Sequence, residues 1–100
     1  MALYEPDLGD VPMLAVLQAL ADETRLSIVR ELSTGDERLC GSFAPELSKA
    51  TRSHHLKVLR EAGLTRTRIE GTSRYVRLRQ PELDEHFPGL LASILRAATV

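Results

Sequence analysis

Ser48-Lys49-Ala50-Thr51-Arg52-Ser53-His54-His55-Leu56-Lys57-Val58-Leu59-Arg60-Glu61-Ala62-Gly63 is the stretch on which the fold turns. Serine is a residue type whose side-chain oxygen satisfies the free amides of a helix's first turn. Glycine takes the left-handed conformation that ends helices. Between the two, Leu56, Leu59 and Ala62 recur at helical spacing and make an inward stripe. Lys49, Ser53, His54, Lys57 and Arg60 mostly point the other way. The pattern predicts a helix over 48–62, apolar on one side, basic on the other, with hydroxyls around its start.

Beyond Gly63 the period changes from 3.6 to 2. Leu64, Arg66 and Arg68 alternate with Thr65, Thr67 and Ile69, and after Glu70-Gly71-Thr72-Ser73 the run from Arg74 to Arg79 alternates again. Two such runs around a four-residue loop containing glycine read as an arginine-rich hairpin over 64–79. Pro81 closes it, and a last helix over 82–98, with a break at Pro88-Gly89, carries Leu90, Leu91, Ile94 and Leu95. Upstream, Val11, Leu14, Leu17, Leu20 and Ala21 predict a helix over 11–21, with Asp10 placed to cap it and Pro12 in its first turn. Asp22 is a second cap, opening a helix whose apolar stripe is Leu26, Ile28, Val29 and Leu32, stopped at Gly35. Leu39, Phe43 and Leu47 would line one face of a short or distorted helix within 36–47, since Gly41 and Pro45 argue against a long one. Residues 1–9, with Pro6, Gly9 and scattered acids, read as flexible.

One hundred residues make a single domain, 1–100. Its class is mainly α with a small β-hairpin, in the order α-α-α-α-β-β-α. Apolar residues are 43% of the chain, charged ones 27% and aromatic ones 4%, so neither disorder nor an aromatic-rich sheet core is indicated. No apolar run approaches the roughly 18 residues of a membrane span, and no basic segment followed by an apolar one opens the chain as a secretory signal. The single cysteine, Cys40, rules out an intrachain disulfide and fits a cytoplasmic setting. The catalytic signatures are missing as well: there is no Gly-rich phosphate loop and no nucleophile with a partner, so no enzyme is expected.

The net charge of −1 conceals an uneven distribution. Residues 48–79 hold nine Lys and Arg against two acids, a balance of +7, and the rest of the chain carries −8. A basic block in an acidic frame points to a polyanion partner, although a plain solvated face would have the same composition. A capped helix with a polar, basic outer stripe fits the DNA major groove, about 12 Å wide. Ser48, Lys49, Thr51, Arg52, Ser53, His54 and Lys57 are the candidate contacts to phosphates and base edges. On the hairpin, Arg68 and Arg74 flank the tip formed by Thr72 and Ser73, which would follow the backbone or enter the adjacent minor groove. The partner is then double-stranded DNA, with no membrane involved. A rival reading is a protein-interaction module that binds no DNA.

Three blocks carry a resemblance to a known family. They are Leu20-Ala21-Asp22-Glu23-Thr24-Arg25-Leu26, then Ser53-His54-His55-Leu56-Lys57-Val58-Leu59-Arg60-Glu61-Ala62-Gly63-Leu64, and Glu70-Gly71 through Arg74-Tyr75-Val76-Arg77-Leu78. Over roughly residues 11–98 the chain resembles the ArsR/SmtB family of winged-helix repressors. The resemblance implies that 48–62 is the recognition helix and 64–79 the wing. It also implies a homodimer built on the terminal helices through Leu14, Leu17, Leu90, Leu91, Ile94 and Leu95. Such a dimer binds a palindromic operator and is released by a small inducer, which the chain does not identify.

Within the resemblance, His54 faces DNA and His55 packs toward the domain. Arg52 stands where an apolar residue is usual, so it either tilts to a phosphate or pairs with an acid such as Glu46. Many relatives sense metal through a Cys-x-Cys pair. Here Cys40 is present and Ser42 replaces the second cysteine, leaving Cys40 as a buried small hydrophobe or a thiol- or metal-responsive sensor. Others hold zinc on the last helix. Asp84 and His86 match only half of that ligand set, so no complete metal site and no cofactor are expected.

Overall fold

Two side-chain caps organise the helical half of the chain. The computed structural model describes residues 3–98. In it α1 (Met13–Leu20) is followed at once by α2 (Glu23–Leu32), and the Asp22 carboxylate between them accepts the Arg25 amide at 3.0 Å. Ser48 does the same for α3 (Lys49–Glu61), accepting the Thr51 amide at 3.1 Å. At the far end of α3 the Leu64 amide reaches the Leu59 carbonyl and the Gly63 amide the Arg60 carbonyl, the crossed pair that ends a helix in a left-handed residue. Gly63 supplies that residue at φ +81, and the Leu8 side chain fills the space a Cβ would need.

Three strands follow the helical half. β1 (Arg38–Leu39), β2 (Thr65–Glu70) and β3 (Ser73–Leu78) form an antiparallel sheet in the order β1-β3-β2. β2 and β3 turn through Gly71 and Thr72, with Gly71 at φ +60. Cross-strand partners share a face. Thr65–Leu78, Thr67–Val76 and Ile69–Arg74 lie on one face, and Arg66–Arg77, Arg68–Tyr75 and Glu70–Ser73 on the other. The first of these covers the core, where Val76 and Leu78 are buried with Val29, Leu32, Phe43, Leu59 and Leu64. The chain closes with α4 (Gln80–His86) and α5 (Leu90–Ala98), broken at Pro88-Gly89 as expected, and Pro81 lies in the first turn of α4. Among the described residues no helix is long and apolar enough to cross a membrane.

The class is as expected, mainly α with a wing, but three details differ. The short helix expected within 36–47 is replaced by β1 and a 3-10 turn at Cys40–Ser42. Of the three apolar residues there, Phe43 alone is fully buried and Leu39 is 47% exposed; Leu39 and Phe43 are themselves extended, and Ala44, before Pro45, is left-handed at φ +44, so no helix face forms. Second, residues 3–9, read as flexible, pack on the body, while residues 1 and 2 lie outside the described residues. Leu8 is buried, Pro6 accepts the Arg79 guanidinium at 2.8 Å, and the Glu5 carboxylate accepts the Thr67 amide at 2.7 Å. That amide belongs to the edge strand β2 and has no strand to pair with, so a side chain serves it. Third, Asp10 does not cap α1. Pro12 holds the cap position, and the nearby acid Asp7 caps a 3-10 turn at Leu8–Asp10.

The Asp22 cap makes a measurable prediction. The Arg25 amide bond, helped by the Arg25 charge, holds its carboxyl below the ordinary 3.8, against the opposing effect of burial. A depressed folded value means that the contribution is present above the unfolded value and lost as pH falls below about 4. Asp22→Ala is expected to cost about 1 kcal/mol in urea unfolding at pH 7, as helix caps do. The difference from wild type should shrink steadily as pH falls below about 4, and a gap of undiminished size at about pH 2 would contradict the assignment.

Candidate nucleic-acid interface

The capped start of α3 fixes what its side chains face. Leu56 and Leu59 enter the core, and Ser48, Lys49, Thr51, Ser53, His54 and Lys57 are exposed. Arg52 and Arg60 are half-buried, one turn either side of Leu56. Arg52 donates to the Leu47 carbonyl at 3.5 Å and makes no ion pair with Glu46. The two adjacent histidines diverge. His54 stands in solvent, while His55 Nδ1 lies 3.3 Å from the Arg25 guanidinium and 3.9 Å from the Asp22 carboxylate. Arg25 also donates to the Ala19 carbonyl at 2.6 Å, so α1, α2 and α3 are joined behind the exposed face.

The pleat of the hairpin separates its two tip arginines. Arg74 shares the face of Val76 and borders a cleft with Lys49, Arg52 and Ser53 of α3, together with Thr72 and Ser73 of the tip. Arg68 is on the opposite face. It donates to Glu37 at 2.8 and 3.2 Å and to Glu70, and it stacks 4.6 Å over the Tyr75 ring. The Glu37 hydrogen bond, then that of Glu70, raises the Arg68 pKa, and the same bond lowers that of Glu37. Arg68 is therefore already neutralised within the sheet. Arg79 is buried against Glu82 at 2.9 Å, and Arg66 lies 3.7 Å from the same carboxylate. Lys49, Lys57 and Arg74 have no carboxylate within ion-pair distance among the described residues.

Arg60, absent from the expected DNA-binding set, also lines this cleft. Its signal was its spacing, since 52, 56 and 60 fall on one helical stripe. Cys40 begins the 3-10 turn at the cleft's edge and is half-buried. Burial pushes its thiol up, against the pull of Arg74, Arg60 and Arg52. Ser42 donates to the Leu39 carbonyl at 2.6 Å. Asp84 and His86 are exposed on α4, and among the described residues no three His, Cys, Asp or Glu side chains are grouped to hold a metal ion.

The terminal helices present an apolar face. Leu14 is 62% exposed, with Met13 beside it, and Leu17, Leu90, Ile94 and Leu95 are half-buried. Leu91 is 3% exposed and packs within the subunit against Val16, Leu20 and Leu83, so it is not available to a second chain.

Residues 20–68, from the end of α1 into β2, match the family model of a helix-turn-helix domain. An uncharacterized HTH-type transcriptional regulator of Bacillus subtilis, YceK, is 42% identical over 82 residues, covering 79% of this chain and 82% of its own length. An arsenical resistance operon repressor of Staphylococcus aureus is 34% identical over 71 residues, 70% of this chain and 68% of that protein. The solved structure of an ArsR-like transcriptional regulator from Rhodococcus sp. RHA1 matches with a TM-score of 0.62 at 27% identity, covering 87% of this chain and 79% of the other.

Proposed function

Because the chain belongs to the ArsR/SmtB family of winged-helix, DNA-binding transcriptional regulators, we propose that it is a sequence-specific repressor. It sits on a palindromic operator as a homodimer and leaves when an inducer binds. The family is one of regulators, not enzymes, and DNA is the partner. The observation that supports this reading best is the segregation of charge. Among the described residues the cations of α3 and the inner wing face (Lys49, Lys57, Arg74) lack carboxylates, whereas three of the four arginines on the outer wing face and at the base of the hairpin (Arg66, Arg68 and Arg79, but not Arg77) have them. Unmatched cations are the ones whose pairing with phosphates releases counterions.

In this reading Ser48, Lys49, Thr51, Ser53, His54 and Lys57 of α3, with Arg52 behind them, meet one major groove. Thr72, Ser73 and Arg74 follow the flanking backbone, and Arg68 braces the wing that carries them. The protein works in the cytoplasm, where its operator is. Leu14, Leu17, Leu90, Ile94 and Leu95 join two subunits, placing two α3 helices about 34 Å apart in successive grooves. An inducer that binds better to another dimer geometry shifts the population away from DNA.

Gel shifts with genomic fragments, run beside sedimentation of the free chain, test this directly. The expected result is selective retention of fragments carrying an inverted repeat, two chains per site, and a steep fall in affinity with salt. Leu14→Glu is expected to give a folded monomer without this retention, since the side chain is solvent-facing within one subunit. A wild-type chain that sediments as a monomer, or retards every duplex alike, would refute the specific dimer.

A further inference from the structure

The cleft between the Cys40–Ser42 turn, α3 and the hairpin has two tiers of positive charge. Lys49 and Arg74 form an exposed rim, and Arg52 and Arg60 lie half-buried below it. The lower pair are held by carbonyl oxygens, Arg52 by Leu47 and Arg60 by Tyr4 at 3.2 Å, which orient the guanidiniums without cancelling their charge. Among the described residues no carboxylate lines this cleft. Others on the surface do carry acids, Glu5, Asp7 and Glu82 in one and Glu23, Glu31 and Glu46 in another. Arg74, Arg60 and Arg52 all act on the half-buried Cys40 thiol, so three cationic fields converge on one spot. Leu39 and Leu56 supply apolar wall beside it.

A partly desolvated cation without a counter-charge costs free energy, and an arriving anion recovers it. A duplex is stiff and wide, and its phosphates meet the rim. The lower tier is suited to something small enough to enter. We propose that this cleft binds a small organic anion, an acidic headgroup on a short apolar body, which draws on the rim cations too and thereby competes with DNA. The competition rests on the repressor reading above, and the site itself does not.

The probes are phenyl phosphate and benzoate, with inorganic phosphate and phenol as arms lacking the apolar body or the charge. Amide NMR of the full chain should show saturable shifts at Cys40–Ser42, Arg60 and Thr67 with at least one of the first two, about tenfold weaker with inorganic phosphate and absent with phenol. The same compound should displace a labelled duplex. Arg60→Gln retains a donor for the Tyr4 carbonyl and removes the charge. It should bind the probe about tenfold more weakly, the worth of one charge-assisted hydrogen bond, with duplex affinity within about twofold of wild type. No saturable shift at millimolar probe, shifts confined to α1 and α5, or an Arg60→Gln variant that loses duplex and probe equally would each overturn the site. Saturable probe shifts at the cleft with no duplex binding by wild type would uphold the site and overturn the repressor reading.

Discussion

Replacing Lys49 and Arg74 together by alanine is expected to weaken operator binding by about a thousandfold at 0.15 M salt. The figure follows from counterion release, in which each neutralised phosphate contributes about 0.9 to the slope of log affinity against log salt. Leaving one phosphate unneutralised at 0.15 M salt then costs about fivefold in affinity, and in a homodimer the cost falls twice. Each single variant should fall about thirtyfold and its salt slope by about 1.8, with the double variant near the product of the two. Neither side chain is paired to a carboxylate, so no internal ion pair forms or breaks to offset the change. Arg68 supplies the contrast. It is tied to Glu37 and Glu70, so its removal leaves two carboxylates behind and takes no cation away from the duplex, and Arg68→Ala should keep the wild-type slope. A double variant within threefold of wild type, with an unchanged slope, would move the DNA to another face.

The second large effect is on stability. Phe43→Ala is expected to cost about 3–5 kcal/mol, from the unburied ring and the cavity it leaves. Phe43 is fully buried, with the Arg38 guanidinium 5.3 Å from its ring centre. It is the sole fully buried side chain between Thr34 and Ser48, so this whole segment hangs on it. A domain of this size has about 5–15 kcal/mol in total, and the melting temperature should drop by about 15–30 °C. Leu39→Ala, at an exposed neighbour, should cost little. Urea midpoints with unchanged slopes would measure both, and a loss under about 1 kcal/mol for Phe43→Ala would show that the pocket closes on itself.

These two experiments probe different degrees of legibility. The caps at Asp22 and Ser48, the stripe of α3 and the hairpin were readable because each is local: the cap, the period and the stop lie within a few residues. β1 was not readable, since it is two residues long and exists only through pairing with Val76 and Tyr75, almost forty positions away. Leu39, Phe43 and Leu47 imitate a helix face because their spacing is four, and only tertiary packing reveals that a single one enters the core. Arg68 and Arg74 were read together as flanking the tip, and it took the register, with Ile69 opposite Arg74, to set them on different faces. That Glu37 would neutralise Arg68 depends on β1, and so lay out of reach. The same holds for the N-terminal residues, whose acids suggested solvent while Glu5 was needed by an orphan amide.

The stretch from Glu5 to Pro12 leads straight into α1, the helix that carries Leu14, and its other end is fastened to Thr67 and Arg79 at the base of the hairpin. The same few residues therefore tether the helix proposed to meet a second subunit to the arm proposed to touch the duplex. A rotation of α1 within the dimer has to be taken up as slack in this short leash or passed on as a tug on the wing. With Leu8 wedged beside Gly63, there is little slack to take.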